Sequence, residues 1–158
     1  LAQPPAATQH EPCRAPVRVP RAAMSNLVSK KDGGKVLMVS SLDTNHPGDN
    51  IIDGSEQSYW ISTGLYPQEI LFELSSPTPV NTVKLSTTNV KSVRIEACAE
   101  DKPVNFHTLA EGDLEEKSGG LQLKELKPKD GGETASFVKV LILSGYHDFC
   151  SVHKVVVE

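Results

Sequence analysis

The stretch SVRIEACAE, residues 92–100, decides the fold class. Val93, Ile95 and Ala97 fall on one face and Arg94, Glu96 and Cys98 on the other, a period of two that belongs to a half-buried strand and not to a helix. Outward from it the same alternation recurs. EILFEL (69–74) sets Ile70, Phe72 and Leu74 against Glu69, Leu71 and Glu73, and TVKLST (82–87) puts Val83 and Leu85 on one face. FVKVLILSG (137–145) is a near-continuous apolar run, as expected of a central strand covered on both faces. KVLMVSS (35–41) and SVHKVVVE (151–158) read as first and last strands, with HTLAEG (107–112) and LQLKEL (121–126) as weaker ones. Turn chemistry separates them: SSPTP (75–79), EGDLEEKSGG (111–120) and KPKDGGE (127–133). About eight such strands predict an all-β, single-domain jelly-roll β-sandwich. The only helix expected is a short turn within 47–58.

The chain has 158 residues, 38% of them hydrophobic, which is enough for one domain with a real core. Residues 1–23 carry Pro4, Pro5, Pro12, Pro16 and Pro20 without hydrophobic period, so a disordered or extended Pro/Ala-rich tail is expected ahead of a domain over 24–158. Met24-Ser25 resembles a natural start, and the tail lacks the apolar region of a secretory signal, which points to the cytoplasm. A formal net charge of −4 argues against nucleic acid and anionic membranes as partners. Cys13, Cys98 and Cys150 are odd in number with no CxxC spacing, so free thiols are expected in place of disulfides or a zinc site.

One polar loop stands apart. NHPGDNIIDGSEQSYW (45–60) holds Ile51, Ile52 and the only tryptophan, Trp60, among turn residues. Asn50, Asp53 and Ser58 offer side-chain oxygens of the kind a hard cation such as Ca²⁺ takes, held by apolar anchors. Asp53 as a local cap in a turn is the other reading of the same residues. The spacing is not that of an EF-hand. His46, His107, His147 and His153 form no HxH or HExxH pair, GYHDF (145–149) lacks a GxSxG elbow, and KKDGGK (30–35) lacks the order of a phosphate loop. A non-catalytic binding module is the expectation, not an enzyme.

HPGDNIIDGSEQSYW (46–60), followed by STGLYPQE (62–69), resembles the opening of the discoidin, or galactose-binding-like, domains, whose N-x-x-D-G-x-x-x-x-x-W core marks a Ca²⁺-holding loop. With VRIE (93–96), the acidic and Gly-rich middle and FCSVHKVVVE (149–158), the order looks like that of a family of intraflagellar transport B subunits, over residues 36–158. The resemblance implies a jelly roll and a heterodimer with a small Rab-like GTPase, intraflagellar transport protein 27, alongside other subunits of that complex. It places the protein in the cytoplasm, the cilium or flagellum and the basal body. It also implies Ca²⁺ on Asn50, Asp53 and Ser58, closed by Glu158 from the last strand. Tyr59, Tyr66, Arg94, Phe106 and Tyr146 are the candidate anchors for a partner. A carbohydrate- or lipid-binding discoidin module is the alternative, although such modules are normally secreted with paired cysteines joining their ends. A small heat-shock chaperone would need a C-terminal I-x-I/V anchor, to which VVVE is only a loose likeness.

Overall fold

The computed structural model describes Ala2 and residues 25–158, so the expected tail over 1–23 lies, Ala2 apart, outside the described residues. Nine strands run through those residues: β1 (Lys35–Val39), β2 (Trp60–Ile61), β3 (Gln68–Val80), β4 (Val83–Thr88), β5 (Val90–Cys98), β6 (His107–Asp113), β7 (Gln122–Leu126), β8 (Glu133–Gly145) and β9 (Ser151–Val157). They pair antiparallel into a five-stranded sheet, ordered β1-β3-β8-β5-β6, and a four-stranded sheet, ordered β2-β9-β4-β7. The jelly-roll sandwich expected from the alternation is therefore the fold.

The alternating residues meet between the sheets. Ile70, Phe72 and Leu74 of β3, Val93, Ile95 and Ala97 of β5, and Val155 and Val157 of β9 belong to one buried cluster. Each large apolar side chain fully buried there contributes about 1.5–3 kcal/mol. β8 sits in the middle of its sheet, as its apolar run demands. On the outer face of that sheet Leu71, Cys98 and Phe137 form a second small cluster with Phe106 packed on it. This explains why Leu71, assigned to the polar face by alternation, is nonetheless buried.

Three elements differ from the expectation. SSPTP was expected to turn, yet it continues β3 through a bulge between Glu73 and Thr78. A bulge leaves residues unpaired, so Pro77, within it, costs β3 little despite having no N–H to donate, while Pro79 lies beyond it opposite Thr134; both are exposed. β2 is a ninth strand of only two residues, which pair with Val152 and Ser151 of β9. A 3₁₀ turn outside 47–58 spans Lys30–Asp32, capped by the Ser29 side chain, within KKDGGK.

The segment ahead of β1 is stitched to the last strand. Leu27 N–H donates to Val157 O at 2.8 Å, the Asn26 amide accepts from Val157 N–H and donates to Val155 O, and Val28 is fully buried. Lys30 N–H then reaches Ile52 O at 3.3 Å, which brings the polar loop against the same end of the chain.

Candidate functional site

The loop from Asn45 to Trp60 is held on three sides. Its 3₁₀ turn, Gly48–Ile51, packs on β1 so tightly that a Cβ at Gly48 would lie 2.7 Å from a Val39 methyl. Ile51, Ile52 and Trp60 all enter the main core, as the sequence predicts of anchors. Beyond the turn, Tyr59 stacks on His46 with ring centroids 4.2 Å apart and faces His153 of β9 at 5.0 Å. His153 Nδ1 lies 2.9 Å from Glu56 O and Nε2 lies 3.0 Å from Ser151 Oγ, so that ring is fixed from both sides.

Between these anchors sit the predicted oxygen donors. Asp53 Oδ1 accepts from Ser55 N–H at 2.7 Å, and Oδ2 accepts from the Ser58 hydroxyl at 2.5 Å. Asn50 Nδ2 donates to Tyr59 O at 3.0 Å, which engages the nitrogen and leaves its Oδ1 as the acceptor on offer. Gly54, at φ +89°, makes the tight reversal between Asp53 and Ser58. Asp53 and Ser58 are thus joined directly and Asn50 is held to the same loop through Tyr59 O; all three side chains offer oxygen, the donor type Ca²⁺ takes. Among the described residues no three His, Cys, Asp or Glu side chains gather as a metal site would need, and the three loop donors offer a single carboxylate, that of Asp53, beside amide and hydroxyl oxygens.

Glu158 stands differently. Its carboxylate accepts from Lys84 Nζ at 2.6 Å, and its main chain pairs with Asn81 and Thr82 beside β4. It makes no hydrogen bond to the loop. The side chains of Asn50, Asp53 and Ser58 offer oxygen, the donor type of a hard cation, whereas the Glu158 carboxylate is paired with Lys84.

The five aromatic and arginine candidates for partner contact are committed internally. Tyr59 is in the histidine stack, and the Tyr66 hydroxyl donates to His147 O at 2.9 Å. Burial, with Cys150 beside it, pushes the Tyr66 hydroxyl well above the usual tyrosine value. Arg94 pairs with Glu111, Phe106 lies under Lys139 Nζ at 4.0 Å, and the Tyr146 hydroxyl donates to Leu114 O at 2.8 Å. Sequence reasoning passed over Leu42, Leu65 and Phe149, three of the exposed large apolar residues. The available signal was a single apolar residue between turn formers, as in SSLDT and STGLYP.

The chain is 32% identical over 133 residues to the intraflagellar transport protein 25 homolog of Mus musculus, covering 84% of this chain and 92% of that one. It is 30% identical over 132 residues to intraflagellar transport protein 25 of Chlamydomonas reinhardtii, covering 84% and 68%. No family model matches. Among solved structures, the family 32 carbohydrate-binding module of C. perfringens NanJ, in complex with galactose, superposes with a TM-score of 0.69 at 18% identity, over 82% of this chain and 96% of that one. Chitosan-binding module 1 of a Paenibacillus sp. IK-5 chitosanase/glucanase superposes with a TM-score of 0.69 at 24% identity, over 84% and 98%. At such identities the likeness to the carbohydrate modules is one of fold.

Proposed function

The chain belongs to the intraflagellar transport protein 25 family, and from that premise we propose that it is a non-catalytic subunit of the intraflagellar transport B complex. In this reading it forms a heterodimer with a small Rab-like GTPase, intraflagellar transport protein 27, and works in the cytoplasm, basal body and cilium or flagellum. The observation that carries it is the span of the likeness. The match takes in 92% of the mouse relative, so the two share a whole folded domain and not one loop.

Asn50, Asp53 and Ser58 are the residues that would hold Ca²⁺, with Glu158 as a fourth donor released from Lys84. When bound, the cation supplies a multi-oxygen cross-link, and its stabilising effect follows from binding the folded chain alone. The loop's own residues do the rest: Ile51, Ile52 and Trp60 keep the donors against the core, and the His46–Tyr59–His153 stack ties the far side of the loop to β9. This supports a structural role for the ion.

The test is co-expression with the GTPase followed by size-exclusion chromatography with and without EGTA. A co-eluting pair of equal stoichiometry supports the reading, and its survival in EGTA makes the ion a fold element. A chain that elutes alone as a monomer removes the partner from the reading.

A further inference from the structure

Several large apolar side chains are exposed on the loops around Gln68. Leu42 is 84% exposed and Leu65 is 87% exposed, each on a loop and far more open than packing requires. A buried glutamine holds both. Gln68 Oε1 accepts from the hydroxyls of Ser40 and Ser41 at 2.6 Å each, while Gln68 Nε2 donates to Leu65 O at 2.6 Å. Leu42 follows one of its partners and Leu65 is the other. Phe149, 51% exposed, lines an open groove of about 580 Å³ with Leu65 and Ile61. On the other side, the bulge in β1 between Val36 and Met38 turns Leu37 and Met38 outward together, and both line a groove of about 390 Å³ with Leu42. Five of the seven exposed large apolar residues among those described therefore border two grooves joined through the Gln68 staple.

We infer that this end of the sandwich is the docking surface for a folded protein partner that presents apolar side chains inside a basic rim. This rests on the heterodimer reading and adds the surface through which it is made. Area is the first argument. At about 150–200 Å² for each fully exposed large apolar residue, the five display roughly 500 Å², a large share of the about 800 Å² that one side of a standard interface buries. Charge is the second. The ionisable side chains lining the two grooves are acidic, Asp49 and Asp148, with Asp43 next to Leu42 in sequence. Asp49 is paired to Lys30 at 3.0 Å, while Asp148 is exposed. An acidic rim around an apolar centre selects a basic rim opposite. The competing groove on the outer face of the four-stranded sheet has one strongly exposed apolar residue, Leu123, among lysines and glutamates, and lacks both arguments.

The test uses the full chain and the co-expressed Rab-like GTPase, with affinity measured by calorimetry. Leu65→Asp and Phe149→Asp are expected to weaken binding at least about tenfold each, and Asp148→Lys severalfold, at unchanged melting temperature; Leu123→Asp is expected to leave affinity alone. If wild type binds and these variants bind equally well, or if Leu123→Asp is the damaging change, the surface is elsewhere and the heterodimer reading survives. If wild type fails to bind, the heterodimer reading falls and takes the surface with it. A wild-type chain that forms a homodimer dissociated by Leu65→Asp makes a second copy the occupant and overturns the assignment.

Discussion

The indole nitrogen of Trp60 donates to the main-chain carbonyl of Ser41 at 2.9 Å. One fully buried ring therefore ties the start of β2 to the loop that leaves β1. It fixes the polar loop at one end and the exposed Leu42 at the other.

Trp60→Ala is expected to destabilise the fold by about 3–5 kcal/mol, the cost of a large cavity plus an orphaned Ser41 carbonyl. Urea unfolding followed by circular dichroism checks this. Because Trp60 is the only tryptophan, native emission should be blue-shifted and should move red in the same transition. A loss below about 1 kcal/mol would place Trp60 outside the cooperative core.

Gln68→Ala is expected to cost about 1–3 kcal/mol. Most of that comes from the hydroxyl of Ser41, which is buried and has no water to turn to, whereas Ser40 and Leu65 are exposed. Hydrogen exchange should quicken in both the 40–45 and 62–67 loops. Faster exchange in only one of them would mean that the glutamine does not couple them.

Calcium should raise the melting temperature of wild type, by an amount that grows with its concentration and corresponds to about 2.7 kcal/mol at a hundred times Kd. Asp53→Ala should abolish the difference between calcium and EGTA. Lys84→Ala is the sharper variant: by freeing the Glu158 carboxylate it should tighten calcium binding severalfold in titration calorimetry. If Lys84→Ala weakens binding or leaves it unchanged, Glu158 is no ligand.

Alkaline pH should destabilise the protein. Burial pushes the Cys150 thiol up from its ordinary value. Below about pH 8.5 the thiol is neutral in both states and its contribution is complete. As pH rises past that value the unfolded chain loses its proton first, binds fewer protons than the native state, and stability falls. The raised hydroxyl of Tyr66 adds the same sign above about pH 10. In melts between about pH 8 and 10, Cys150→Ala should show a flatter decline than wild type; an equally steep decline would assign the effect to another group.

The long strands were legible because burial on one face writes itself as alternation: Val93, Ile95 and Ala97 are inside, while Arg94 and Glu96 are on the half-exposed face. β2 was not, since two residues carry no period. The prolines of SSPTP misled because a bulge tolerates them where a regular ladder would not. In the site, Asp53 and Ser58 are joined by a hydrogen bond across five residues of one loop, a contact local in sequence. The Lys84–Glu158 pair spans 74 positions and depends on β4 lying against β9 in register, which no local pattern encodes. The internal contacts of the partner candidates were hidden for a related reason: the Tyr66 hydroxyl bonds His147 O and the Tyr146 hydroxyl bonds Leu114 O, partners distant in sequence.

The bulge in β3 also bears on how the protein behaves in solution. β1 pairs with β3 only as far as Glu73, so among the described residues the continuation toward Val80 has β8 on one side and no strand on the other. Such a row of backbone groups is a template for a stray strand from another molecule. Pro77 and Pro79 interrupt it, because neither offers a donor and the bulge spoils the spacing. The sheet is thereby guarded against growing by addition of a second chain along that side.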